Sequence, residues 1–380
     1  MYGFVILLIT QKDKIMKKII ALILALICVL SLAACNSGNN GDNSGNGGAE
    51  IVLPDLPGGS DETEKPDESG NEELPELPND GKQEGDDISH TRYTANTSIS
   101  DVINDPVFGN WGRMIFLVNR GYYSGSTLGN LSLTWYSHIN MAHTVEICNY
   151  FKDQTLAGNQ VFYDIYTDAE KAADPRKADT GLFFFRGNKN AKFAVTCAGG
   201  GWAYVGAMHD SFPHAIELSK KGYNAFAIIY RPGAQTAYED LARAITFIFH
   251  YANELGVDTS GYSVWGGSAG GRMTATISSY GVQSYGGGAD IPKPSTAVIQ
   301  YTGHTDYNRN GEPATFVCVG ENDGIANYRT MKSRIDSISA MGVATEYHSY
   351  TGLGHGFGLG IGTIAEGWFD QAVAFWERNS

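Results

Sequence analysis

From residue 181 onward the apolar positions fall into two alternating patterns. Short, nearly unbroken apolar runs at 181–186, 191–197, 223–230, 296–301 and 315–319 read as strands buried on both faces. Residues 262–265 and 345–350 read as further strands. Between them, apolar residues recur every three or four positions. The segment 236–255 places Tyr238, Leu241, Ala242, Ile245, Ile248, Ala252 and Leu255 on one helical face. The segment 325–341 does the same with Ile325, Tyr328, Met331, Ile335, Ile338 and Met341. Helices are also predicted over 143–156, 211–221 and 364–376, with Pro213 in a first turn where proline is tolerated. A strand is predicted over 161–166. Strands alternating with helices predict an α/β fold, a mostly parallel central sheet with helices on both faces. The site of such a sheet lies beyond the carboxyl ends of its strands.

The first hundred residues read differently. Met16-Lys17-Lys18 precedes an apolar run of 12 residues over 19–30, followed by Leu32-Ala33-Ala34-Cys35. The run is short for a bilayer span and fits the core of a signal peptide, with Met16 a natural start. Its ending resembles a bacterial lipobox, which implies cleavage before Cys35 and lipid on its sulfur. Residues 1–35 are therefore expected to be a lipoprotein signal, and the protein to be extracytoplasmic and anchored to the cell membrane. Residues 36–100 hold 15 acidic and 3 basic side chains and few large apolar ones. Such a segment buries too little surface to offset its ordering entropy, so a disordered tether is expected. The catalytic domain is expected over 101–380, with 101–180 as an N-terminal extension whose aromatic residues read first as core packing and otherwise as a lid or substrate wall.

Charge narrows the function. The whole chain carries −14, but the tether accounts for −12 of it, and residues 101–380 carry only −5. Nucleic acid is excluded as the main partner, since binding it needs a basic face.

The chemistry is concentrated in Gly266-Gly267-Ser268-Ala269-Gly270-Gly271, which follows a predicted strand and precedes helix-compatible residues. That is the context of a Gly-x-Ser-x-Gly nucleophile elbow, where Ser268 stands on a strained turn near a helix N-terminus. A serine hydroxyl needs a base, expected C-terminal to it after an acid. His355 sits in a glycine-flanked loop after the last strand, whereas His348 lies within the strand and reads as structural. Val319-Gly320-Glu321-Asn322-Asp323-Gly324 supplies the acid. Asp323 is favoured over Glu321, and over Asp306 after the preceding strand. Consecutive glycines Gly199-Gly200-Gly201 after the strand 191–197 can aim backbone N–H groups at a substrate oxygen, together with Ala269 N–H.

These motifs, over about 180–380, resemble the α/β-hydrolase esterases, in particular the hormone-sensitive-lipase-like and feruloyl-esterase-like branches. Ala198-Gly199-Gly200-Gly201-Trp202 is similar to the family's His-Gly-Gly-Gly-Trp oxyanion motif, with Ala198 in place of the histidine. Tyr230-Arg231 and Glu239-Asp240-Leu241 are similar to the family's strand end and following helix. The resemblance implies Gly200 and Gly201 as oxyanion donors. It also implies a serine carboxylic-ester hydrolase with no metal or cofactor, acting on short-chain or acetyl esters of carbohydrate. A serine peptidase of the same fold, and a non-catalytic surface binding protein on a hydrolase fold, are the alternatives.

Between 101 and 180 the chain is aromatic, with Trp111, Tyr122, Tyr123, Trp135 and Tyr136. Tyr122 and Tyr123, with Trp202, are candidates for substrate contact. His209, His214 and His304 lie near predicted strand ends and read as structural. Cys197 and Cys318 sit in strand-like runs and read as free core thiols.

Overall fold

The computed structural model describes residues 73–77, 91–116 and 122–380. The described domain opens with α1 (Ile99–Ile103), capped by Ser98, and a 3-10 segment over Pro106–Phe116. A small ribbon pairs β1 (Tyr123–Ser124) with β2 (Ser132–Leu133). Then follow α2 (Met141–Leu156), β3 (Phe162–Tyr163), α3 (Asp168–Ala173), β4 (Gly181–Phe185) and β5 (Ala191–Cys197). The next elements are α4 (Ala207–Asp210), α5 (Phe212–Lys220), β6 (Asn224–Ile229), α6 (Ala234–His250) and α7 (Ala252–Leu255). The chain closes with β7 (Val257–Gly267), α8 (Ala269–Tyr280), β8 (Thr296–Gln300), β9 (Ala314–Gly320), α9 (Tyr328–Ser339), β10 (Thr345–Tyr350) and α10 (Trp368–Arg378).

The 8-stranded sheet runs β10-β9-β8-β7-β5-β6-β4-β3. Strands β5 to β10 are parallel, and β3 and β4 join antiparallel at one edge. This is the mostly parallel sheet with helices around it that the alternating pattern predicts. Its central strands are buried along most of their length, as parallel strands covered on both faces must be. From β5 the chain turns to β6 on one side and returns as β7 on the other. The order therefore reverses between β5 and β7, and the crevice opens where the chain leaves their carboxyl ends. Their register pairs Cys197 with Gly266, so the glycine run after β5 lies beside the turn after β7.

One expectation needs correction. Residues 36–100 are not a tether throughout. Tyr93 is buried in the core, and its N–H and C=O bond the Asn149 side chain at 2.9 and 3.0 Å. Lys152, also buried, donates to Thr91 O and Asp105, so the domain begins near residue 91. Residues 73–77 also dock. Leu74 and Leu77 pack on the core, Arg243 donates to Glu73 O at 2.8 Å, and Tyr251 Oη to Pro75 O at 2.9 Å. The apolar pair and two backbone carbonyls hold a segment whose average composition reads as unfoldable. In 101–180 the core-packing reading holds at Trp111. Trp111 packs on Phe151, Phe162 and Phe183, and Phe151 is fully buried. The expected signal over 1–35, with Cys35, lies outside the described residues. Cys148, Cys197 and Cys318 are buried and unpaired.

Candidate active site

The turn after β7 creates the site. Ser268 has φ 54° and ψ −120°, a strained conformation for a residue with a side chain, and it caps α8. The strain is held by close packing around it. A Cβ on Gly266 would meet Gly270 O at 2.3 Å, and one on Gly270 would meet Cys197 O at 2.1 Å. Only glycine fits where the strand, the helix and β5 converge.

Ser268 Oγ lies 2.9 Å from His355 Nε2, and His355 Nδ1 lies 2.7 Å from Asp323 Oδ2. A neutral imidazole donates through Nδ1 to the carboxylate and accepts the serine proton at Nε2. The Asp323 side chain is fully buried and that of His355 is 7% exposed. Asp323 Oδ1 accepts the Ile325 and Ala326 N–H groups, each at 2.8 Å, which fixes the carboxylate plane. The other acids are committed elsewhere. Glu321 accepts from Ser349 and Thr351, which hold its carboxyl below the usual carboxylate range, and Asp306 accepts from Tyr280 Oη. His348 bonds Glu346 within the strand region.

Gly200 and Gly201 have φ of 131° and 60°, and the turn closes by bonds from Ala203 and Tyr204 N–H to Gly200 O. Neither the Gly200 nor the Gly201 N–H is taken by another group of the described residues. A Cβ on Gly199 would stand 2.7 Å from Ser268 Cβ, so the loop lies directly against the serine. Gly200, Gly201, Ala269, Ser268 and His355 all line one cavity of about 480 Å³.

One residue that sequence reasoning missed organises this region. Asp210, at the end of α4, is fully buried. Its Oδ2 accepts the Gly199 N–H at 2.7 Å and Tyr136 Oη at 3.0 Å, while Oδ1 accepts Tyr301 Oη. Burial and this carboxylate push both tyrosine hydroxyls well above their ordinary pKa, so they remain protonated donors. Tyr301 in turn stands edge-on to the His355 ring at 5.0 Å. Asp210 thus links the glycine loop after β5 to His355. The position of the family's histidine is filled by Ala198, which is buried and whose carbonyl accepts Tyr230 Oη at 2.6 Å. No periodicity or motif marks Asp210, which stands between His209 and Ser211.

The expected substrate contacts divide. Trp202 lines the cavity. Tyr122 does not, standing behind as a stack on Tyr204 and beside Trp135. Tyr123 lines a separate small cavity with Leu133 and Val205. The wall is built instead by Trp135, 45% exposed, and Tyr136. Those two follow β2, whereas the expected Tyr122 and Tyr123 precede it. Of the three histidines, His304 reaches the cavity, His209 bonds Gly356 O, and His214 packs between Trp368 and Phe369.

Residues 185–309 match the BD-FAE family model. No curated protein matches the chain. Among solved structures, the thermophilic esterase Est2 of Thermogutta terrifontis with propionate bound is 20% identical, with a TM-score of 0.47 over 53% of this chain and 89% of that one. MGS-M1, an α/β hydrolase from a Medee basin deep-sea metagenome library, is 19% identical, with a TM-score of 0.45 over 52% and 92%. Thermogutta terrifontis esterase 2 phosphorylated by paraoxon is 18% identical, with a TM-score of 0.44 over 53% and 87%. The expected resemblance to the feruloyl-esterase-like α/β hydrolases is borne out by the family match.

Proposed function

We propose, for a chain whose residues 185–309 match the BD-FAE family model, that Ser268, His355 and Asp323 hydrolyse carboxylic esters. The observation that carries this reading is the unbroken chain Ser268 Oγ–His355 Nε2 and His355 Nδ1–Asp323 Oδ2, at 2.9 and 2.7 Å. Ser268 Oγ attacks the carbonyl carbon while its proton passes to His355 Nε2. The negative charge on the carbonyl oxygen is held by Gly200, Gly201 and Ala269 N–H groups, with the α8 N-terminus behind them. The C–O bond to the alcohol breaks as His355 returns its proton to that oxygen. Water then attacks the acyl-serine, gives its proton to His355, and the acid leaves as Ser268 regains a proton. Asp323 stabilises the imidazolium in both halves and holds its tautomer.

The substrate is a short-chain or acetyl ester of a carbohydrate. Flat faces at Trp135 and Trp202 beside a cavity of about 480 Å³ support a sugar-sized group. Anchoring through lipid on Cys35 is part of the same reading, since a polymer substrate suits an enzyme held outside the cell. Loss of palmitate incorporation and of membrane fractionation in Cys35→Ser tests it.

The test of the reaction is hydrolysis of p-nitrophenyl acetate by the purified protein and by Ser268→Ala. The expected loss is at least about 10³-fold. Equal turnover in both refutes Ser268. No turnover in either folded protein refutes the esterase reading and favours a peptidase or a binding protein, which labelling by a fluorophosphonate would separate.

A further inference from the structure

We infer that Arg272 forms an anion subsite in this cavity, and that the ester substrate carries a carboxylate in addition to its ester group. The inference rests on the proposed esterase reading and names its substrate class. Arg272 lies four residues after Ser268 on α8, one turn along the same side of the helix, and lines the same cavity. Its side chain is exposed there and has no ion pair or hydrogen bond with the described residues. Arg309 and Arg329 likewise make only ring contacts, with Tyr307 and Tyr328, but neither lines this cavity. Arg231, Arg243 and Arg334 are buried and paired with carboxylates.

The position is locally unfavourable, which makes the absence of a partner informative. Arg272 stands in the first turn of α8, where the helix dipole disfavours a cation and favours an anion. An unpaired guanidinium in this place is poorly served by its own fold. A bound carboxylate would serve both, meeting the fork of Arg272 and the positive end of the helix together.

The rest of the cavity adds no competing charge. Asp323 is buried behind His355, and Asp306 is held by Tyr280. The α8 first turn packs on the loop after β8, where a Cβ on Gly271 would meet Thr302 at 3.3 Å. His304 on that loop is pushed down to about 3 by burial and by Arg334 and Arg272, so it is neutral near pH 7. Arg272 is thus the one permanently charged side chain among the cavity's lining residues. Apolar lining comes from Ile325, half exposed, and from Trp135 beside Gly201. A carboxylate ester matches this split between one cationic end and apolar sides.

The carboxylate can belong to the acid or to the alcohol, and matched esters distinguish these sources. On the acid side, p-nitrophenyl hemisuccinate is compared with p-nitrophenyl butyrate. On the alcohol side, 4-acetoxybenzoate is compared with its methyl ester. The wild-type protein should favour the anionic member of one pair by roughly five- to twenty-fold in kcat/KM, between an exposed ion pair and a charge-assisted bond. That ratio should fall to about one or below in Arg272→Gln, and below one in Arg272→Glu. Calorimetric titration of Ser268→Ala with each ester, with and without Arg272→Gln, reads binding without turnover. Neutral esters hydrolysed with no anionic preference in either pair, and equal binding of both members, would overturn the subsite. So would a preference that survives Arg272→Gln. Absence of all ester hydrolysis would instead strike the esterase reading, with the calorimetry still deciding the subsite.

Discussion

At the residue scale the site divides into what a local motif can announce and what only the fold can assemble. Ser268 announces itself through its glycines, and Asp323 and His355 through their places after successive strands. The Asp210 network has no such signature, because its members are remote along the chain. Tyr136 and Tyr301 lie 74 and 91 positions from the carboxylate they share. Topology, not spacing, brings them together, and the same holds for Trp135 beside Gly201. On the proposed esterase reading, the network makes Asp210 a positioning residue for the glycine loop Gly199–Gly201. In Asp210→Asn the Gly199 N–H and both hydroxyls lose a charged acceptor, and the loop is less firmly held. We expect kcat for p-nitrophenyl acetate to fall by about 10–10²-fold, less than removal of an oxyanion donor, with KM within about two-fold. A KM effect with unchanged kcat would assign Asp210 a purely structural or binding role. Gly199→Ala probes the same contact from the other side. Its methyl group would press on Ser268 Cβ and on Tyr136 Oη at 2.7 and 2.6 Å. Turnover should fall more steeply than melting temperature, and a parallel loss of both would refute the contact as a site-specific one.

At the element scale, buried strands are the most legible part of the chain. The strands predicted at Ala191–Cys197 and Thr345–Tyr350 match β5 and β10 residue for residue. Errors arise where an apolar residue is on period by coincidence. Ile325 extends the helical pattern of α9, yet the helix starts at Tyr328 behind the Asn327 cap, and Ile325 belongs to the loop that holds Asp323. The closing helix likewise begins at Trp368 rather than 364, because Gly367 takes φ 94°. Strand β7 is longer than its apolar core at 262–265. Its polar start pairs Val257 with Ala191 across a register shift, which no hydrophobic pattern encodes. The docked segment 73–77 is the clearest case. Its two leucines and two backbone acceptors are invisible in a composition dominated by acid, proline and glycine. Deleting residues 73–77 should lower stability by about 1–3 kcal/mol, from two hydrogen bonds and partial burial of two leucines. Chemical denaturation of the deleted and intact proteins measures this, with kcat expected to be unchanged. No shift in the midpoint would mean that the docking contributes nothing net.

At the scale of the whole molecule, net charge is a poor guide to how the fold responds to pH. Most of the chain's −14 lies in the segment 36–100, while the titrations that matter are buried. His214 is the most informative of them. It is 1% exposed, stacked at 6.0 Å on Phe369 and edge-on to Trp368 at 5.5 Å, where α5 meets α10. Burial pushes its pKa down to about 4 from the model-peptide value of 6.5. The folded protein therefore binds fewer protons here than the unfolded chain between those two values. Stability rises with pH wherever the unfolded state binds more protons, so it is lost as pH falls from about 6.5 to about 4. One group shifted this far is worth at most about 3 kcal/mol across that window. His304, pushed down to about 3, acts in the same direction. The paired carboxylates act at lower pH. Glu217 is held at about 2 by His143 and Lys220, so its contribution is lost only as pH falls from about 4.5 toward 2. The two windows separate the causes. Urea unfolding from pH 7.5 to 4.5 should show a progressive loss of stability in the wild-type protein. His214→Gln removes the titrating ring, whatever its own cost at pH 7.5, and should flatten that slope by up to about 3 kcal/mol. Parallel pH profiles for the two proteins would mean that His214 is protonated in the folded state, and would place the acid sensitivity elsewhere.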